Sequence, residues 1–93
     1  MNQVADRIER VLNDVRNNRI STLLARERID DVAQAARATL KQGSDHCIAL
    51  DIVADGANAY LSLVENHSDE PAFRLDGALA SVKRKVERLR KFG

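Results

Sequence analysis

Apolar positions recur along the chain with helical spacing almost from end to end. Within residues 2–17, Val4, Ile8, Val11 and Val15 fall at intervals of 4, 3 and 4, with Leu12 beside them. That is the narrow stripe of a helix seated against its neighbours. Asp6 and Arg10 stand one turn apart on its polar side and are placed to pair. Asn17 and Asn18 suit a helix end, because asparagine tolerates the left-handed conformation. Ile20, Leu23 and Leu24 could nevertheless carry the same helix onward. A second helix is expected over residues 21–42, with Ile29, Val32, Ala33, Ala36 and Leu40 facing inward. Gly43 after Lys41 and Gln42 is its stop: a cation in the last turn, then a residue free to adopt positive φ.

The third segment, capped by Ser44 or Asp45 and running to about Asn66, has an inverted pattern. Cys47, Ile48, Leu50, Ile52, Val53, Ala57, Tyr60, Leu61, Leu63 and Val64 cover most of its surface. The polar residues form the narrow stripe instead: Asp51, Asp55, Asn58, Ser62 and Glu65, at intervals of 4, 3, 4 and 3. A helix apolar around most of its circumference belongs at the centre of a bundle or in an oligomer interface. Residues 66–70 read as a polar loop. Ser68 or Asp69 is the expected cap of a last helix, with Pro71 in its first turn, where a missing N–H costs nothing. Leu75, Leu79, Val82, Val86 and Leu89 follow at 4, 3, 4 and 3, and this helix reaches about Lys91. Its length is about 32 Å at a rise of about 1.5 Å per residue.

No segment alternates as a strand does. The two Asp-Gly pairs, Asp55-Gly56 and Asp76-Gly77, lie inside helical-period segments, so they are not hairpin turns. A glycine inside a helix costs about 1 kcal/mol and calls for a packing reason, so Gly56 and Gly77 are expected where helices approach closely. The expected fold is all-α: one small antiparallel three- or four-helix bundle over residues 1–93, with Ile52, Val53, Leu61, Val82 and Val86 buried. Whether residues 1–42 make one helix or two is open.

Composition agrees with a folded domain: 44% of residues are apolar and 31% charged. No apolar run approaches the roughly 18 residues that span a bilayer, so no membrane association is expected. The first residues lack the basic-then-apolar order of a secretory signal. With a single cysteine, Cys47, neither a disulfide framework nor a multi-cysteine zinc site can form within the chain. Cytoplasmic residence is the expectation that follows. A chain of this size buries only about 60% of its unfolded surface. Together with the apolar third segment, that leads to the expectation of a homodimer. Tyr60, Phe73 and Phe92 are the only aromatic residues, too few for a base-stacking nucleic-acid module.

The formal net charge of +1 hides a strong polarity. Residues 43–72 carry six acids and no Lys or Arg, whereas residues 73–93 carry seven basic residues against two acidic. Three arrangements are open. The acidic stripe could face the basic last helix, within a subunit or across a dimer. The basic helix could contact phosphates through Lys83, Arg84, Lys85, Arg88 and Lys91. Or both could be solvated faces, the cations lying favourably near a helix C-terminus.

Catalytic chemistry finds little support. Asp45, His46 and Cys47 offer an acid, a base and a thiol, but adjacent helical residues point about 100° apart and do not converge. The expected roles are a capping aspartate, an exposed histidine and a small buried thiol. Glu65, His67, Asp69 and Glu70 cluster around the last loop, but their spacing matches neither HExxH, an EF-hand nor the Glu-x-x-His pairs of di-iron bundles. Asp51 and Asp55 lie one turn apart and could share a proton, but on an exposed stripe they read as surface groups. There is no P-loop, dinucleotide fingerprint or nucleophile elbow. No catalytic residue, metal ligand or cofactor is therefore expected.

These readings point to a small non-enzymatic helical interaction protein. It would act as an adaptor, an antitoxin-like neutraliser or an inhibitor of a larger bacterial or phage protein. Its expected contact residues are Asp51, Asp55, Glu65, Lys83, Arg84, Lys85, Arg88 and Lys91, since a bundle's apolar seam holds the fold and its surface carries function. The alternative is a nucleic-acid-binding regulator using the basic C-terminal helix.

Overall fold

A computed structural model describes residues 1–66 and 72–92. They form four helices: α1 (Asn2–Arg16), α2 (Thr22–Arg37), α3 (Asp45–Asn66) and α4 (Ala72–Arg90). There is no strand among the described residues. Residues 1–42 thus make two helices. Asn17 ends α1, and Asn18 turns the chain with a left-handed φ of 58°. The Ser21 hydroxyl then caps α2 by accepting the Leu24 amide at 3.2 Å. Leu23 and Leu24 accordingly lie in the first turn of α2 rather than extending α1.

Helix α2 ends at Arg37, five residues before the expected Gln42. Thr39 explains the early stop. Its hydroxyl donates to the Ala36 carbonyl at 2.8 Å, and the Thr39 and Leu40 amides bond three residues back instead of four. Gly43, at φ 78°, completes the turn. Ser44 Oγ then accepts the Cys47 amide at 3.3 Å, so Ser44 is the cap and Asp45 the first residue of α3. Ser68, Asp69 and Pro71, expected to begin the last helix, lie outside the described residues.

Each helix packs on two others, α1 and α3 each lying between α2 and α4. The arrangement is a square bundle measuring 41 × 21 × 18 Å. Its core joins Ala5, Ile8, Leu12 and Val15 of α1 to Ala25, Ile29 and Ala33 of α2. Leu50, Val53, Ala57, Tyr60 and Leu61 of α3 and Leu79, Val82, Val86 and Leu89 of α4 complete it. Helix α2 contributes mostly alanine, which brings its backbone close to its neighbours. Val4, Val32 and Leu40 are only half-buried at the rim.

Four sets of ion pairs record the antiparallel order. Arg16 at the end of α1 meets Asp76 near the start of α4 at 3.0 Å, while Asp6 and Glu9 at the start of α1 both meet Arg90 at the end of α4. Arg26 in the first turns of α2 reaches Glu65 at the end of α3 (2.8 Å), and Arg37 at the end of α2 reaches Asp51 near the start of α3 (2.6 Å). The expected Asp6–Arg10 pair is not formed. Asp6 binds Arg90 because the helix-to-helix partner is a fork-shaped guanidinium already held by Glu9 and Glu87.

Val53, Leu61, Val82 and Val86 are buried as expected, but Ile52 is 49% exposed and Ile48 50% exposed. The reason is geometric. Helix α3 has two neighbours, and two neighbours cannot cover a helix that is apolar around most of its circumference. Gly56 is buried under α4: a Cβ there would meet Val82 at 3.6 Å and the Lys85 side chain at 3.3 Å. Gly77, expected at a similar close approach, faces open space. Gly77→Ala should therefore gain helix propensity at no steric cost, stabilising the fold by about 0.5–1 kcal/mol and raising the midpoint of a thermal melt.

Length and composition alone would also let the 22-residue α3 cross a bilayer. This corrects the expectation that no segment approaches that limit. Here α3 is a bundle helix, its edge bonded to α2 through Asp51 and Glu65.

Candidate interaction surface

The polar stripe of α3 is a seam against α2. Arg26 lies across it: Nε donates to Glu65 at 2.8 Å, Nη2 to Ser62 Oγ at 2.7 Å and Nη1 to Asn58 Oδ1 at 3.3 Å. Arg37 closes the other end, with Nε and Nη2 both donating to Asp51 Oδ1. Four of the five stripe residues are thus held by two arginines, which accounts for the stripe's narrowness. Asp55 stands apart, exposed and in no ion pair among the described residues.

An intramolecular pairing of the acidic stripe with the basic last helix is therefore not what forms. Of the expected contact residues, Asp51 and Glu65 are engaged by α2. Sequence reasoning missed Arg26 and Arg37. Their signal was available: they lie 11 residues apart, three helical turns and so on one face, opposite the matching acids of the following antiparallel helix.

The cations of α4 divide by direction. Arg90 is turned onto α1, and its hydrogen bonds to Asp6, Glu9 and Glu87 hold its protonated form well above the ordinary arginine range. Lys85 folds over α3 at Gly56 and is half-buried. Lys83 is half-buried as well. Arg84, Arg88 and Lys91 are exposed at intervals of 4 and 3, one outward ridge. Lys83, Arg84, Lys85, Arg88 and Lys91 form no ion pair among the described residues.

Beside this ridge lies an apolar groove of about 250 Å³ between α3 and the end of α4. Ile48, Ala49, Ile52 and Phe92 line it, with Lys85 and Arg88 on one lip and Asp45 among the α3 residues. His46 holds the Phe92 wall in place. Its Nε2 donates to the Phe92 carbonyl at 3.1 Å, and the two rings stand 4.8 Å apart at 55°. His46 is thus half-buried rather than exposed, and Cys47 is only partly buried. The Asp45 side chain lines the groove and the His46 ring is held on Phe92, so the acid, base and thiol do not converge.

Among the described residues no three His, Cys, Asp or Glu side chains cluster as metal ligands would. His67, Asp69 and Glu70 of the loop cluster lie outside those residues. Tyr60 is buried, which pushes its phenol above the ordinary tyrosine value, partly offset by Arg16. It lines a second cleft with Arg16 and Asp76.

No protein-family model matches the chain, and no curated protein or solved structure shows significant similarity to it.

Proposed function

We propose that the chain is a non-enzymatic interaction protein of bacterial or phage type that works in the cytoplasm. It sets the outer ridge of α4, Arg84, Arg88 and Lys91, against an acidic surface of a larger protein. The carrying observation is the fate of the α3 acids. Asp51 and Glu65 are answered by Arg37 and Arg26 of α2, which leaves the α4 ridge without counter-charges among the described residues. Uncompensated like charges on a rigid helix steer association and choose partners by complementarity. A bundle held by its own core and its own ion pairs can offer such a ridge as an adaptor, neutraliser or inhibitor, without moving.

The nucleic-acid reading rests on the same ridge, since cations at 4 and 3 intervals can follow a phosphate backbone. The scarcity of aromatic residues favours the protein partner. Capture from nuclease-treated lysate of cells that make the chain tests the choice. The immobilised protein should retain a protein partner, and a chain with Arg84→Glu, Arg88→Glu and Lys91→Glu should not. Retention of nucleic acid alone before nuclease treatment, lost log-linearly with salt, would put the alternative in its place.

A further inference from the structure

We propose that the groove between α3 and α4 is the contact surface for a second copy of this chain. This goes beyond the ridge reading and uses different residues at its centre. Ile48 and Ile52 are half-exposed one turn apart on α3 and Phe92 is 37% exposed beside them. All three line one groove of about 250 Å³. Adjacent exposed aliphatic side chains next to a preformed apolar recess are both knob and hole.

What identifies the occupant is the charge around that recess. Lys85 and Arg88 stand on the α4 lip, and Asp45 lies among the α3 residues. Asp55 continues the outward line of Ile48 and Ile52 by one further turn, and it is exposed. None of these four is in an ion pair among the described residues. An acidic foreign surface would be repelled by Asp45 and Asp55, and a basic one by Lys85 and Arg88. A two-fold copy meets both signs with their opposites, because an isologous interface repeats each contact reciprocally. Ile48 and Ile52 of one copy then enter the groove of the other, while the α3 acids face the α4 cations across the axis.

Sedimentation of the full chain from low to high micromolar concentration tests this. The wild-type protein should reach twice its 10.3 kDa chain mass. Ile48→Asp with Ile52→Asp should weaken association at least tenfold while leaving the far-ultraviolet dichroism of the bundle intact. Leu23→Asp, at the most exposed leucine on α2 (69%), should leave association unchanged.

A charge swap gives an independent readout. Lys85→Glu with Arg88→Glu, and Asp45→Lys with Asp55→Lys, should each reduce self-association, and mixing the two variants should restore a dimer of one chain from each. A wild-type chain that stays monomeric at high micromolar concentration overturns the proposal. So does a dimer that survives the isoleucine substitutions, or a mixture that forms no heterodimer. The isoleucine variant keeps Arg84, Arg88 and Lys91, so its retention of the captured partner separates this proposal from the ridge reading.

Discussion

Val86→Asp should leave the chain largely unfolded at room temperature. Val86 is fully buried on α4, in a core shared by all four helices. An aspartate there has two choices, both costly. It can stay ionised in apolar surroundings without a partner, or it can take up a proton and still leave its polar atoms unsatisfied. The valine methyl groups are lost from the core as well. Among the described residues no polar or charged side chain is buried in the core to compensate. The buried charge and the lost methyl groups together should cost about 5 kcal/mol or more, which cancels the roughly 5 kcal/mol total of the less stable small domains. Far-ultraviolet circular dichroism should show loss of most helical signal, and urea melts should show no cooperative native baseline. A melt matching wild type would contradict the burial of this face of α4.

The second large effect is on binding. Reversing Arg84, Arg88 and Lys91 together should remove partner binding while leaving the fold nearly unchanged, because all three are exposed and unpaired within the described structure. Each exposed contact is worth about 1 kcal/mol or less, and reversal replaces attraction by repulsion at the same positions. Three such changes amount to about 3 kcal/mol, on the order of a hundredfold in affinity. The wild-type interaction should weaken with salt as well, since the contacts lie where screening acts over about 8–10 Å. Calorimetric titration of the captured partner with both proteins measures the difference. Equal affinities would remove the ridge from the contact.

The stripes of α1 and α4 were legible because each of these helices has one inward face. There, helical spacing identifies the buried residues almost directly, with Ala5 replacing Val4 at the first turn. Helix α3 was legible as a helix but not in its orientation. Its apolar residues surround most of the axis, so spacing alone could not say that Val53 faces in and Ile52 out. The neighbours decide that, and they are fixed by Arg26 and Arg37, whose partners lie 39 and 14 residues away. The same long-range pairs consumed the acids that composition alone would assign to α4. The end of α2 was misplaced for a local reason: the Thr39 hydroxyl, four residues before the glycine stop, competes for the Ala36 carbonyl. The groove was invisible because Phe92, held by His46, closes it from the far end of the chain.

The orientation of α3 is the claim on which the groove, the seam with α2 and the free ridge of α4 all depend. Adjacent residues test it most directly. Val53 is fully buried and Ile52 is 49% exposed, so the same substitution at each should have opposite consequences. In urea melts run at low micromolar protein, Val53→Asp should lose about 4 kcal/mol or more, and Ile52→Asp should stay within about 0.5 kcal/mol of wild type. Equal destabilisation by both, or a greater loss at Ile52, would mean that α3 turns another face to the core and would contradict the account.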